Sequence, residues 1–447
     1  MTREPAAPRG GWGGWGGWGA TLRGWLARVG LLGARDGTLA PRSSPVLNAA
    51  AAAARTAARG VWGIAVPAVL PIGGYGAYSV LQTTAGVVAQ IGLLGTGPTI
   101  LREPGRKAPI GGLLLHSLLL AGAALPVAVL VAPLPDPRYP WLLGALVLGL
   151  IWYGIAVTRA KAVGAFADVL RAELVGAAAF AVAIGSVAFL VRRGRPPVDY
   201  GLVVLLEAVA TAALLAALGG SRGGRIAGEE WRLAGTPAVL RSVYSVGGLV
   251  LLDLLIWRRL EIYFLQASPD GLRGVAVFGL ASQLSSLLLL VPSAFAEAWS
   301  PAYAADFRIG WAAFERRFQA NRRVYQRIMA ALVLAAAVTT PLLIRVVFPK
   351  YWPWVWQVSA FVLIRVVASY AGLHSAAIYA TKRERWLYAP VISGGVVGVV
   401  ANIVWTLPWG LSGAILAYAL TQGTVAVATL VASRASARSS DARMVAP

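Results

Sequence analysis

The chain has 447 residues, of which 58% are hydrophobic and 13% charged, with no cysteine and a formal net charge of +22. A globular domain carries roughly half apolar and a quarter charged residues, so this composition is that of an integral membrane protein. The absence of cysteine excludes a disulfide framework, a thiolate metal site and a cysteine nucleophile.

Residues 1–50 hold scattered arginines and no early apolar core ahead of a small-residue cleavage site, so no cleaved signal peptide is expected. Within them Gly10-Gly-Trp-Gly-Gly-Trp-Gly-Gly-Trp-Gly19 repeats every third residue. Such a segment has too little apolar area to fold alone, and residues 1–46 read as a disordered tail whose Trp12, Trp15 and Trp18 can rest on a membrane surface. About twelve apolar runs follow, each approaching the ~20 residues that cross ~30 Å of hydrocarbon. They centre on 52–70, 78–97, 111–131, 142–157, 174–191, 202–218, 243–265, 275–295, 328–347, 355–376, 386–406 and 411–432. The first carries Arg55 and Arg59 in its opening turns.

Connections between the runs alternate in charge. One set holds Arg102, Arg106, Lys107, Arg159, Lys161, Arg171, Arg222, Arg225, Arg232, Arg241, a group from Arg308 to Arg327, and Lys382, Arg383 and Arg385. The opposite set is short and holds Arg138, Arg273 and Lys350, with Arg192, Arg193 and Arg195 as its one exception. Lys and Arg concentrate on the cytoplasmic side, which places both termini of a multi-pass membrane protein in the cytoplasm. The positive charge has no stacking platform or helix-turn-helix context, so nucleic acid is not the expected partner. Attraction to anionic inner-leaflet lipid explains it more simply.

A Gly-rich charged stretch, 220–236, divides the runs into two six-helix lobes, 47–219 and 237–432, and 433–447 reads as a polar cytoplasmic tail. Between the eighth and ninth runs Phe307, Trp311, Phe314 and Phe318 recur at helical spacing against Arg316, Arg317, Arg322 and Arg323. That pattern suits an interfacial helix or one packed beneath the bundle.

The seventh run contains Asp253, Arg258, Arg259 and Glu261, charges that are costly in hydrocarbon and point to a wet cavity or to mutual pairing. Arg258 and Glu261 share a helical face, and Asp253 lies about 80° from Glu261 at 100° per residue. Arg365 in the tenth run is a further mid-membrane cation. Guanidinium matches phosphate bidentately, so Arg258, Arg259 and Arg365 suit an anionic head group. The alternative is that Arg258 and Arg259 snorkel to the interface and Arg365 pairs with Glu207 or Glu297. Glu207, Glu297, His116 and His374 are candidates for ion or proton coupling, against a plain packing role for each histidine. Gln90, Gln283 and Asn402 suit hydrogen bonds to a sugar or a neighbouring helix. Pro67, Pro71, Pro292 and Pro301 mark kinks, mobile or static. No Walker-type loop, zinc-ligand spacing or Ser/His/Asp arrangement occurs, which argues against ATP-driven transport by this chain alone, against a metal site and against an enzyme.

Gly73-Gly-Tyr-Gly-Ala-Tyr-Ser79 with Gln90-Ile-Gly-Leu-Leu-Gly-Thr-Gly-Pro-Thr-Ile-Leu-Arg102 resembles the start of bacterial polysaccharide transporters of the oligosaccharide (O-antigen-type) flippase family. Further similarity lies in Glu261-Ile-Tyr-Phe-Leu265, Gly274-Val-Ala-Val-Phe-Gly-Leu-Ala281, Phe348-Pro-Lys-Tyr351, Ala380-Thr-Lys-Arg383 and Gly410-Leu-Ser-Gly-Ala414. The resemblance implies an all-α membrane bundle like that of multidrug and toxin exporters, with two six-helix lobes around a central cavity. It implies flipping of undecaprenyl-diphosphate-linked oligosaccharide from the inner to the outer leaflet for surface polysaccharide synthesis, without a cofactor. An acidic residue is expected at the position of Glu261, and Arg258 and Arg259 depart from the family pattern. Implied partners are the lipid-linked oligosaccharide, membrane lipids, and a polysaccharide polymerase or glycosyltransferases. The competing expectations are a small-molecule exporter of the same fold and a membrane polysaccharide polymerase or ligase. The last usually needs a large outer loop, and no outer connection here exceeds about a dozen residues.

Overall fold

The computed structural model describes residues 45–97, 100, 109–192, 199–221, 260–381, 383 and 385–445, with scattered positions between 226 and 247. Among the described residues the chain is helical and contains no strand. The first half gives α1 (Pro45–Val69), α2 (Ile72–Leu93), α3 (Ile110–Val131), α4 (Tyr139–Ala162), α5 (Phe166–Arg192) and α6 (Tyr200–Gly220). The second gives α7 (Leu260–Gln266), α8 (Gly271–Leu288), α9 (Leu290–Ile309), α10 (Trp311–Val347), α11 (Val355–Ala368), α12 (Ala371–Ala380), α13 (Arg385–Ala401) and α14 (Leu407–Val445).

Eight helical stretches among the described residues are long and apolar enough to cross a membrane. The last, Arg385–Ala435, encloses two of the runs expected from sequence. It is broken where Gly410 takes a left-handed φ of +57°. A side chain there would also collide with Asp270, whose carboxylate accepts the backbone N–H of Leu411 at 2.7 Å. Runs 52–70 and 78–97 form α1 and α2, which are less apolar because they carry Arg55, Arg59 and a series of Tyr, Thr and Gln residues. Most of run 243–265 lies outside the described residues. Large apolar side chains such as Leu119, Leu130, Val182, Val338 and Val396 stand exposed along the helices, the surface that lipid covers. The chain is thus a multi-pass, all-α membrane protein.

Prolines set several boundaries, since a residue without an N–H fits best at a helix start, although Pro67, Pro126, Pro341 and Pro390 lie inside helices. Pro71 precedes α2, Pro109 precedes α3, and Pro140 sits in the first turn of α4. The run 275–295 is not one helix: α8 ends at Leu288 and α9 begins at Leu290, with Pro292 in its first turn. Between the two alternatives for the aromatic stretch, packing beneath the bundle prevails. α10 runs unbroken from Trp311, with Phe314 and Phe318 at 5.8 and 5.9 Å from the Tyr303 ring and Phe318 edge-on to His374 at 5.2 Å. The segment read as a polar tail continues as helix to Val445.

The two halves of the chain meet along α2 and α8. Only glycine fits at position 76, where a Cβ would lie 2.0 Å from the Leu272 carbonyl oxygen. At the end of the bundle poor in charge, Lys350 donates to the carbonyl of Ala68 at 3.2 Å and to that of Leu70. Gln266 donates to the Pro133 carbonyl at 2.6 Å, and Tyr351 meets Tyr75 edge-on at 6.5 Å. These contacts close that end across the halves.

Candidate functional site

Charged side chains within the helices form two groups, one in each half. In the C-terminal half, Glu261 on α7 is 2% exposed. Arg365 on α11 and Tyr418 on α14 lie within its electrostatic range. Among the described residues Arg365 pairs not with Glu207 but with Ser282 on α8: its Nη1 donates to Ser282 Oγ at 2.8 Å and to the Ser282 carbonyl at 3.3 Å. An aromatic column supports the group, with Phe278 against Phe361 at 4.7 Å and Phe361 stacked on Tyr418 at 4.4 Å. Asp253, Arg258 and Arg259 lie outside the described residues, as does the side chain of Glu297.

Glu207 belongs to the other half. It sits near the middle of α6 and accepts hydrogen bonds from Tyr78 Oη at 2.8 Å and from Gln82 Nε2, both on α2. Trp62 on α1 donates in turn to Tyr78 Oη at 3.0 Å. Arg59 is within electrostatic range of Glu207 and lies over the Tyr153 ring at 5.3 Å. One helical turn earlier Arg55 covers the same ring and pairs through Nε with Glu173 Oε1 at 2.8 Å. Tyr153 donates to that oxygen at 2.7 Å. Arg55, Arg59, Tyr153 and Glu173 line a cavity of ≈ 10 Å³, room for about one water. Arg55 Nη2 is buried without a hydrogen-bond partner among the described residues.

Sequence reasoning gives Arg55 and Arg59 no role and does not single out Glu173, Tyr153, Tyr78, Gln82 or Tyr418. A signal is nonetheless present: two arginines four residues apart in an otherwise apolar run share a helical face, and their cost in hydrocarbon demands partners. His116 hydrogen-bonds the Tyr244 hydroxyl at 2.8 Å, and His374 Nδ1 lies 3.1 Å from Ser433 Oγ, so the two are far apart in role. Asn402 donates to the Gly398 carbonyl and accepts from Thr406 within its own π-turn, a helix-internal duty. At the charge-poor end, Arg138 with Tyr200 holds the Asp136 carboxyl well below the usual carboxylate range, through bonds of 2.8 and 2.7 Å.

No family model matches the chain, and no curated protein does. Solved structures do match. An inward-facing multidrug-resistance MATE transporter of the MOP superfamily superposes with a TM-score of 0.66 at 16% identity, over 94% of this chain and 100% of that one. A MOP superfamily transporter from Pyrococcus furiosus, described as having a binding pocket of reverse polarity, gives 0.63 at 15% identity over 90% and 95%. The lipid II flippase MurJ, in an inward closed conformation, gives 0.60 at 9% identity over 86% and 87%. The fold is therefore that of the MATE and MOP transporters.

Proposed function

We propose that the chain is a flippase that carries an anionic, diphosphate-linked oligosaccharide lipid across the cytoplasmic membrane by alternating access. The observation that carries this reading is the presence of guanidiniums inside helical stretches of both halves, Arg55 and Arg59 on α1 and Arg365 in the last turn of α11, midway along the apolar stretch Pro349–Ala380. Each is held by a neighbouring tyrosine or serine, and Arg55 keeps a buried N–H without an acceptor among the described residues. Arg55 and Arg365 are half-buried and Arg59 is exposed, and Glu173 already pairs with Arg55; cations at this depth are expensive unless something repays desolvation, and a phosphate oxyanion adds to that repayment by accepting from guanidinium N–H groups. Arg258, Arg259 and Asp253 belong to the same proposed path, with Glu261 orienting Arg365. The basic face is taken as cytoplasmic, and the halves as two lobes joined by 220–236. A MurJ-like fold agrees with a lipid-linked cargo.

The test is reconstitution in liposomes with a fluorescent undecaprenyl-diphosphate oligosaccharide. Arg59→Gln with Arg365→Gln is expected to slow flipping at least about tenfold, as loss of one charge-assisted bond implies, while membrane insertion stays intact. Flipping at the wild-type rate in the double variant would overturn the reading. Export of a small cation is the second reading, favoured by the inward-held carboxylates Glu207 and Glu261. Uptake of a cationic dye that is lost in Glu207→Gln and Glu261→Gln, with no lipid flipping, would establish it instead.

A further inference from the structure

A separate cavity of ≈ 160 Å³ opens at the basic end of the C-terminal half, between the first turns of α10, α12 and the last described turns of α14. It is far larger than the ~10–15 Å³ that a single water needs. Its wall is aromatic, with Trp311, Phe318 and Tyr370, and two guanidiniums enter it, Arg322 and Arg434. Arg322 donates through Nε to Tyr370 Oη at 3.0 Å, which fixes the fork and leaves both Nη groups for another acceptor. Arg434 is exposed and has no ion pair among the described residues. Glu315 also lines the cavity and accepts from Gln319 at 2.6 Å. Two cations against one carboxylate leave about one net positive charge, the complement of a monoanion.

Depth in the bundle decides the kind of monoanion. The apolar part of α10 begins near residue 328, so Arg322 stands about 9 Å outside it at 1.5 Å per residue. Arg434 directly follows the last apolar turn of α14, and His374 closes the inner wall, 6% exposed and with Nε2 unpartnered among the described residues. The cavity thus lies at head-group level, with rings on its sides and exposed aliphatic helix beside it, as Leu334 and Val427 are.

We propose that this cavity binds the phosphodiester head group of an anionic glycerophospholipid of the inner leaflet, held by the Nη groups of Arg322 and by Arg434. The cargo path does not include it, so it is a site for a resident lipid rather than for the flipped one. Full-length protein, purified and delipidated in detergent, is titrated with phosphatidylglycerol or phosphatidylcholine and followed by native mass spectrometry and thermal unfolding. Phosphatidylglycerol is expected to bind and raise the unfolding temperature, and phosphatidylcholine to do neither. Arg434→Gln, an exposed change, is expected to weaken phosphatidylglycerol binding about tenfold while leaving lipid-free unfolding unchanged. Arg327→Gln, equally basic and exposed but outside the cavity, is expected to leave binding as it was. An equal loss in both variants overturns the site in favour of diffuse surface charge. Saturation by glycerol 1-phosphate or inorganic phosphate at the lipid's own concentration overturns the lipid source in favour of a soluble phosphate. Failure of the flipping assay alone leaves these binding outcomes unaffected.

Discussion

Replacing Lys350 with Met keeps the stem and removes the ammonium that ties the two halves together. The last carbonyls of a helix have no intrahelical donor and carry the negative end of its dipole. Lys350 supplies that donor to α1 from the opposite half of the chain, at Ala68 and Leu70. A hydrogen bond to a charged group contributes roughly 1.5–3 kcal/mol net. Because one half-buried ammonium serves both carbonyls, about 2 kcal/mol is the appropriate total. That is about thirtyfold in the ratio of closed to open charge-poor ends, so a population of ~99:1 falls to roughly 3:1. The chain contains no cysteine, so spin labels can be placed without a background substitution. A Cβ at Gly73 meets nothing within 4 Å, and Ala267 is exposed in the other half. Double electron–electron resonance between Gly73→Cys and Ala267→Cys in lipid nanodiscs is expected to show a second, longer distance in Lys350→Met, with Lys350→Arg closer to the parent. An unchanged distance distribution would refute the role given to Lys350.

Gly76→Val is expected to abolish transport and loosen the α2–α8 contact, because its Cβ would lie 2.0 Å from the Leu272 oxygen; wild-type transport rates would count against that packing. Glu207→Leu leaves the Tyr78 hydroxyl without its acceptor and is expected to cost ~1–3 kcal/mol in denaturant unfolding, whereas Glu207→Gln, which still accepts, is expected to cost less. The Asp136 carboxyl is depressed in the folded chain, chiefly by Arg138, so its contribution is full above the ordinary carboxylate range and disappears only as pH falls through its lowered value. The acid limb of the unfolding curve is therefore expected to change in Asp136→Asn at strongly acid pH, and an identical limb would contradict the bonds drawn to Arg138 and Tyr200. A cytoplasm-active reporter fused after Arg385 is expected to give signal and one after Asp270 none, with the opposite pattern reversing the orientation proposed for the basic face.

Much of the architecture is written in local chemistry. The helices α3 to α6 are each long and apolar enough for a bilayer crossing, as their apolar runs lead one to expect. What periodicity does not supply is which helices touch. Glu207 and Arg365 are both mid-run charges of opposite sign, so pairing is a reasonable expectation from sequence. The fold instead places Glu207 against Tyr78 and Gln82 in one half and Arg365 against Ser282 in the other. The break at Leu289 is equally hidden, because Leu287, Leu288, Leu289, Leu290 and Val291 carry apolar character straight through it; only Pro292 hints at a boundary. Tyr153 and Tyr418 read as ordinary core aromatics from sequence, and they acquire a role only through the arginines and carboxylates of neighbouring helices.

Ser282 joins the packing of α8 to the proposed mechanism. Its carbonyl accepts from the Ser286 hydroxyl at 2.7 Å within α8 and from Arg365 on α11, while its own hydroxyl accepts from Arg365. The guanidinium is thus anchored to the helix that packs against α2 of the other half. A change in how α8 meets α2 is therefore expected to carry Arg365 with it, and on the flippase reading a cargo phosphate that binds Arg365 favours whichever arrangement brings the two halves' arginines to it. A ligand shifts such an equilibrium only by its difference in affinity between the two arrangements. On the flippase reading, that difference comes from engaging Arg59 and Arg365 together in one arrangement and only one of them in the other. Removing either arginine should then reduce the cargo-induced shift in the Gly73 to Ala267 distance as well as the flipping rate. A full shift in the single variants would separate cargo recognition from these two residues.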